Sequence, residues 1–119
     1  MKKFLATVLV ALGALSLAST AQASTAGQRN ALRTAQDYLQ TQAFSKSGLV
    51  EQLKFEDYSR SEARWAVNHV HVSWYAEAVQ SAKEYLRSQS FSRRGLVEQL
   101  EYEGFTHRQA AYGVKKAYH

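Results

Sequence analysis

The side chains able to do acid–base or metal chemistry are few, and they are scattered. His69 and His71 stand two apart, and His107 and His119 lie far downstream. On a helix, residues two apart point roughly 200° from each other, so His69 and His71 do not converge. There is no cysteine to complete a metal set. Glu98 and Glu101 are three apart and share a helix face, the arrangement a carboxylate pair would need. The same stretch occurs earlier in the chain with Lys54 in place of Glu101, so a solvated face is the better reading. No serine stands beside a candidate base, and no glycine-rich loop follows a strand. The residues point to no catalysis, no cofactor and no metal.

What organises the chain is a repeat. Phe91-Ser-Arg-Arg-Gly-Leu-Val-Glu-Gln-Leu-Glu-Tyr-Glu-Gly-Phe105 restates Phe44-Ser-Lys-Ser-Gly-Leu-Val-Glu-Gln-Leu-Lys-Phe-Glu-Asp-Tyr58. Residues 31–70 align on 78–117 without a gap, and sixteen of the forty pairs are identical. Each copy reads as three helices. Ala31, Ala35, Tyr38, Leu39 and Gln42 form one helical stripe over about 28–42, matched by Ala78, Ala82, Tyr85, Leu86 and Gln89. Ser45 and Ser92 are N-caps for helices carrying Leu49, Val50 and Leu53, and Leu96, Val97 and Leu100. Ser59 with Glu62, and Thr106 with Gln109, have capping-box spacing and start the third helices. Gly104 suits a left-handed turn. Gly48 and Gly95 sit in the first turn of a helix, where glycine costs about 1 kcal/mol relative to alanine, so close packing there is expected.

The expected fold is all-α, two tandem three-helix units with a helix-turn-helix character. The first unit spans 24–70, the second 78–119, and 71–77 connects them. The connection lacks glycine, proline and a charge run. Ser73 is placed to cap the next helix, which puts Trp74 in its first turn and near the junction.

Residues 1–23 have the layout of a secretory signal peptide: Lys2 and Lys3, an uncharged apolar run from Phe4 to Ala18, and Ala21-Gln22-Ala23 as a cleavage site between Ala23 and Ser24. Removing Lys2 and Lys3 lowers the fifteen Lys and Arg to thirteen against ten Asp and Glu, so the net charge falls from +5 to +3. That mild excess fits loose attraction to anionic surfaces, not a nucleic-acid interface. Without cysteine, an exported chain must hold together by helix packing alone.

Candidate partner contacts follow from residues that a fold alone does not require. Lys46, Arg93 and Arg94 place positive charge at helix N-termini, against the dipole. Trp65 and Tyr112 are matched aromatics on the third helices. Lys115, with Asn68 as its counterpart, varies between the copies. A helix-turn-helix reading would send the third helix into a DNA groove. The first copy offers only Arg64, Asn68 and His69 there, and export removes the chain from host DNA.

The motif Phe-Ser-x-x-Gly-Leu-Val-Glu-Gln-Leu-x-(Phe/Tyr)-Glu-x-(Tyr/Phe)-(Ser/Thr) at 44–59 and 91–106, the Ala-rich Tyr-Leu helices before it, and Trp74 together resemble the repeat of the Ltp family. These are host-cell-surface-exposed lipoproteins of phages, prophages and Gram-positive bacteria. The resemblance implies superinfection exclusion: a lysogenised cell displays the protein and blocks DNA injection by incoming phage, with the tape measure protein as partner. Two departures stand out. Thr20 occupies the place of the family's lipidated cysteine, so a secreted or surface product without a lipid anchor is expected. Asn68 and Lys115 stand where relatives usually carry Asp. A general cell-wall or envelope-binding module is the alternative reading, and a DNA-binding protein a more remote one.

Overall fold

A computed structural model describes residues 23–119, so the signal-peptide reading lies almost wholly outside the described residues. Six α-helices and no strand are found among them: α1 (Ala26–Thr41), α2 (Lys46–Phe55), α3 (Arg60–His69), α4 (Trp74–Ser88), α5 (Arg93–Tyr102) and α6 (His107–Ala117). The fold class is the all-α pair of three-helix repeats expected from the sequence.

Every helix starts on a side-chain cap. Thr25, Ser45, Ser59, Ser73, Ser92 and Thr106 each accept a backbone N–H three residues on. Those at Thr25, Ser59 and Thr106 are full capping boxes, with Gln28, Glu62 and Gln109 returning the bond. The Thr25–Gln28 box starts α1 two residues before the apolar stripe suggests. Gln42 and Gln89, placed on that stripe by spacing, are instead the exposed C-caps of α1 and α4. Helix α4 takes in Trp74–Glu77, so the extended link between the repeats is Val70–Ser73.

Each repeat encloses its own core. Ala31, Ala35, Leu49, Leu53, Ala63, Ala66 and Val67 form the first. Ala78, Ala82, Leu96, Leu100, Phe105, Ala110, Val114 and Ala117 form the second. In both, the first and third helices pack as a pair and the middle helix rests mainly on the third. The alanine stripes are what let the pair approach. Gly113 takes this furthest: a Cβ there would stand 2.6 Å from the Ala78 carbonyl. The first repeat has Ala66 at that place.

The recurring Gln-Leu of the motif has a packing role. Gln52 Nε2 donates to Tyr38 Oη at 3.1 Å, and Gln99 Nε2 to Tyr85 Oη at 3.2 Å. Tyr38 meets Phe44 edge-on at 5.6 Å, and Tyr85 meets Phe91 in the same way at the same distance. Thus much of the motif's recurrence is scaffold.

Candidate partner-binding groove between the repeats

The two repeats are joined by more than their link. Trp74, from the first turn of α4, packs on the core of the first repeat. Phe44 N–H donates to Glu77 Oε1 at 2.9 Å. Ser45 Oγ accepts from Gly48 N–H to cap α2 and also donates to the Glu103 carbonyl at 2.6 Å. Ser47 Oγ donates to the Gly104 carbonyl at 3.2 Å. The start of α2 therefore sits on the α5–α6 turn of the second repeat.

Two glycines make room for this. Gly104 has φ 108°, the left-handed region, and a Cβ on it would stand 2.2 Å from Ser47 Oγ. Gly48 would bring a Cβ to 2.8 Å from Ser45 Oγ and 3.4 Å from the Glu103 carbonyl. A glycine at 48 is expected to admit the first helix or the ring of Phe44, but what it admits is its own cap and the neighbouring repeat. Gly95 meets its cap, Ser92 Oγ at 2.9 Å, and the ring of Phe91 at 3.9 Å, with nothing from the other repeat.

Beside this contact the repeats leave a groove of about 500 Å³. Lys46 and Val50 come from α2, Arg60, Arg64 and Val67 from α3, and Thr106 with Gln109 from the second repeat. The ion pairs among the described residues are Lys54–Glu51, Arg94–Glu98 and His107–Glu101, so Lys46, Arg60 and Arg64 are paired with no carboxylate. Glu51 also lines the groove, and Lys54 holds its carboxylate at 3.3 Å. Half-buried Val50 supplies apolar surface beside the cations, and Val67, 2% exposed, belongs to the core behind the lining. Such a groove can hold anionic side chains and one or two apolar ones, and it carries no acid–base pair.

Carboxylates gather behind the contact. Partial burial raises the Glu77 carboxyl above the usual range, the Phe44 N–H bond opposes this, and the Glu84 charge adds to it. Glu103 is raised by desolvation first and by Glu84 second, although its side chain keeps contact with solvent.

The residues singled out from sequence do not form one surface. Lys46 lines the groove. Arg93 stacks over the Tyr118 ring at 4.7 Å, and Arg94 pairs with Glu98 at 3.3 Å, both at the far end of the second repeat. Trp65 is half-buried against the first core and stacks on His69 at 4.0 Å. Tyr112 meets Tyr75 edge-on at 5.3 Å, with Lys116 over its ring, and exposed Lys115 lies nearby on α6. Glu98 meets Arg94 and Glu101 meets the His107 ring, so the two carboxylates do not meet each other. His69 Nδ1 lies 2.7 Å from the Trp65 carbonyl, and no three metal-binding side chains gather among the described residues.

Sequence reasoning missed two features. Arg60 stands inside a capping segment that assigns it no role, and Arg64 stands out in the sequence only as a DNA contact. Phe55 and Tyr102, at equivalent places, are 82% and 86% exposed. Their match between copies was the available signal, but the apolar pattern of the helix hid it.

Comparison with known proteins fits this architecture. The sequence pattern of the Ltp lipoproteins, described as host cell surface-exposed lipoprotein, matches residues 27–70 and again 73–116. A solved structure of Ltp, a superinfection exclusion protein from the Streptococcus thermophilus temperate phage TP-J34, superposes with a TM-score of 0.73 at 29% identity. The match covers 78% of this chain and 97% of that one. No curated protein matches. No helix among the described residues is long and apolar enough to cross a membrane. With both repeats matched, the chain belongs to the Ltp family of host cell surface-exposed lipoproteins.

Proposed function

We propose that this protein acts outside the producing cell as a superinfection-exclusion factor, binding a protein of the incoming phage and stopping DNA entry without catalysis. The observation that carries the reading is the likeness to a superinfection exclusion protein over nearly all of that protein's length. The family's description as surface-exposed supports the location. The tape measure protein is the partner that the family resemblance implies. In this reading Ser24–His119 is the acting part, and the groove between the repeats is its contact surface. The second repeat, through Thr106 and Gln109, completes the groove that α2 and α3 begin.

The test compares cells that export the chain with cells expressing it without residues 1–23. Exporting cells should adsorb a susceptible phage normally while the entry of its DNA falls. Equal DNA entry in both strains, across phages that adsorb, would remove the reading.

A further inference from the structure

We propose that the groove between the repeats binds an acidic segment of a partner protein, seated by an apolar side chain. This rests on the reading above that the chain acts by binding a protein, and it adds the chemistry of what is bound. Three cations, Lys46, Arg60 and Arg64, line one groove and have no carboxylate partner among the described residues. Arg60 and Arg64 stand one turn apart on α3, roughly 6 Å along the axis, a spacing that two carboxylates of a peptide match. Glu51, which would oppose such a ligand, is already held by Lys54.

Val50, half-buried on the groove's lining, distinguishes the occupant. A site for phosphate backbone alone has no use for apolar surface beside its cations. A peptide with one aliphatic side chain among its carboxylates uses both features. A volume of about 500 Å³ takes a few side chains and not a duplex. The second repeat strengthens the assignment by contrast. The places of Lys46, Arg60 and Arg64 are held there by Arg93, His107 and Ala111, and Arg93 is occupied by Tyr118. Repeat symmetry alone therefore does not produce the cluster.

Fluorescence anisotropy of a labelled Glu-Glu-Leu-Glu repeat peptide, titrated with the purified chain from Ser24 to His119, tests this. Saturable binding that weakens as salt is added is expected. The double variant Arg60→Glu, Arg64→Glu should weaken it about tenfold or more, and Arg93→Glu, Arg94→Glu should leave it nearly unchanged. Replacing Leu by Ser in the peptide should weaken it as well. The arginines in both variants are exposed, so unchanged circular dichroism is the control for folding. Absence of saturable binding, equal losses from the two variants, or a single-stranded oligonucleotide that binds more tightly than the peptide would overturn the proposal. The titration contains no phage, so its outcome is separate from that of the DNA-entry comparison.

Discussion

The starts of α2 and α5 carry nearly the same residues and live in different surroundings. At α2, Ser45 is 3% exposed, and its hydroxyl both caps the helix and donates to the Glu103 carbonyl. At α5, Ser92 is exposed and only caps. Ser47 meets the Gly104 carbonyl, whereas its counterpart Arg94 turns to Glu98 within its own helix. The partner turns differ in the same sense. Gly104 is pressed against Ser45 and Ser47, while the equivalent Asp57 holds φ 72° with a side chain in open solvent. One copy of the element is an interface and the other is an end. The far end is closed by the chain itself: Tyr118 Oη donates to the Phe91 carbonyl at 2.8 Å, and Arg93 covers its ring. A repeat array needs terminal units whose outer faces do not invite another unit, and Asp57, Arg94 and Tyr118 provide this here.

Leu53→Ala and Leu100→Ala each remove a fully buried side chain and should cost about 2–5 kcal/mol. If the junction couples the repeats, either loss should move the single chemical-denaturation midpoint, and two separated transitions would show that the repeats unfold alone. Gly104→Ala should cost about 1–3 kcal/mol, because the new Cβ displaces Ser47 and Ser45 at a positive φ. Asp57→Gly, the reciprocal change, should be neutral or stabilise by up to about 1 kcal/mol. Thermal melts followed by Trp fluorescence would also sense loosening at Trp74. Ser45→Ala should cost about 1–3 kcal/mol, as the cap and the cross-repeat bond go together, against about 1 kcal/mol for Ser92→Ala.

The junction carboxylates give a smaller effect with a definite sign. A carboxyl raised by folding binds its proton more readily in the native state, so stability falls as pH rises through its native value. Glu77 and Glu103 are both raised, so the fold should firm as pH drops from neutrality toward the top of the carboxylate range. Glu84→Gln removes a charge that raises both, and should flatten that slope. Urea midpoints measured against pH for the two proteins check it. The smallest effect is expected at the exposed ring of Phe55, where Phe55→Ala should change stability by less than about 0.5 kcal/mol.

Five of the six caps and most of both cores are legible in the sequence because each depends on residues three or four apart, whereas the Thr25 cap lies ahead of the apolar stripe and is not. Ser59 finds Glu62, and Leu49 finds Leu53, within one or two turns. The junction was not legible in the same way. Its bonds link Ser45 to Glu103 and Ser47 to Gly104 across more than half of the folded chain. A gap-free repeat also presents both copies as equivalent. The informative positions were those where the copies differ: Ser47 against Arg94, Asp57 against Gly104, and Asn30 against Glu77. Differences between copies point to a contact with a partner, and at Ser47 and Gly104 the structure shows a contact between the repeats instead. Arg60 and Arg64 were hidden for a related reason. Cations in an exposed helical turn look solvated until a second repeat is placed beside them.

In the proposed function it is the groove between the repeats, and not the outer end of the second, that meets the phage. The most direct measurement is DNA entry into cells exporting either Arg60→Glu, Arg64→Glu or Arg93→Glu, Arg94→Glu, at matched surface and medium levels and matched adsorption. The first variant should admit phage DNA and the second should still exclude it. Exclusion retained by the first and lost by the second would contradict that role of the groove.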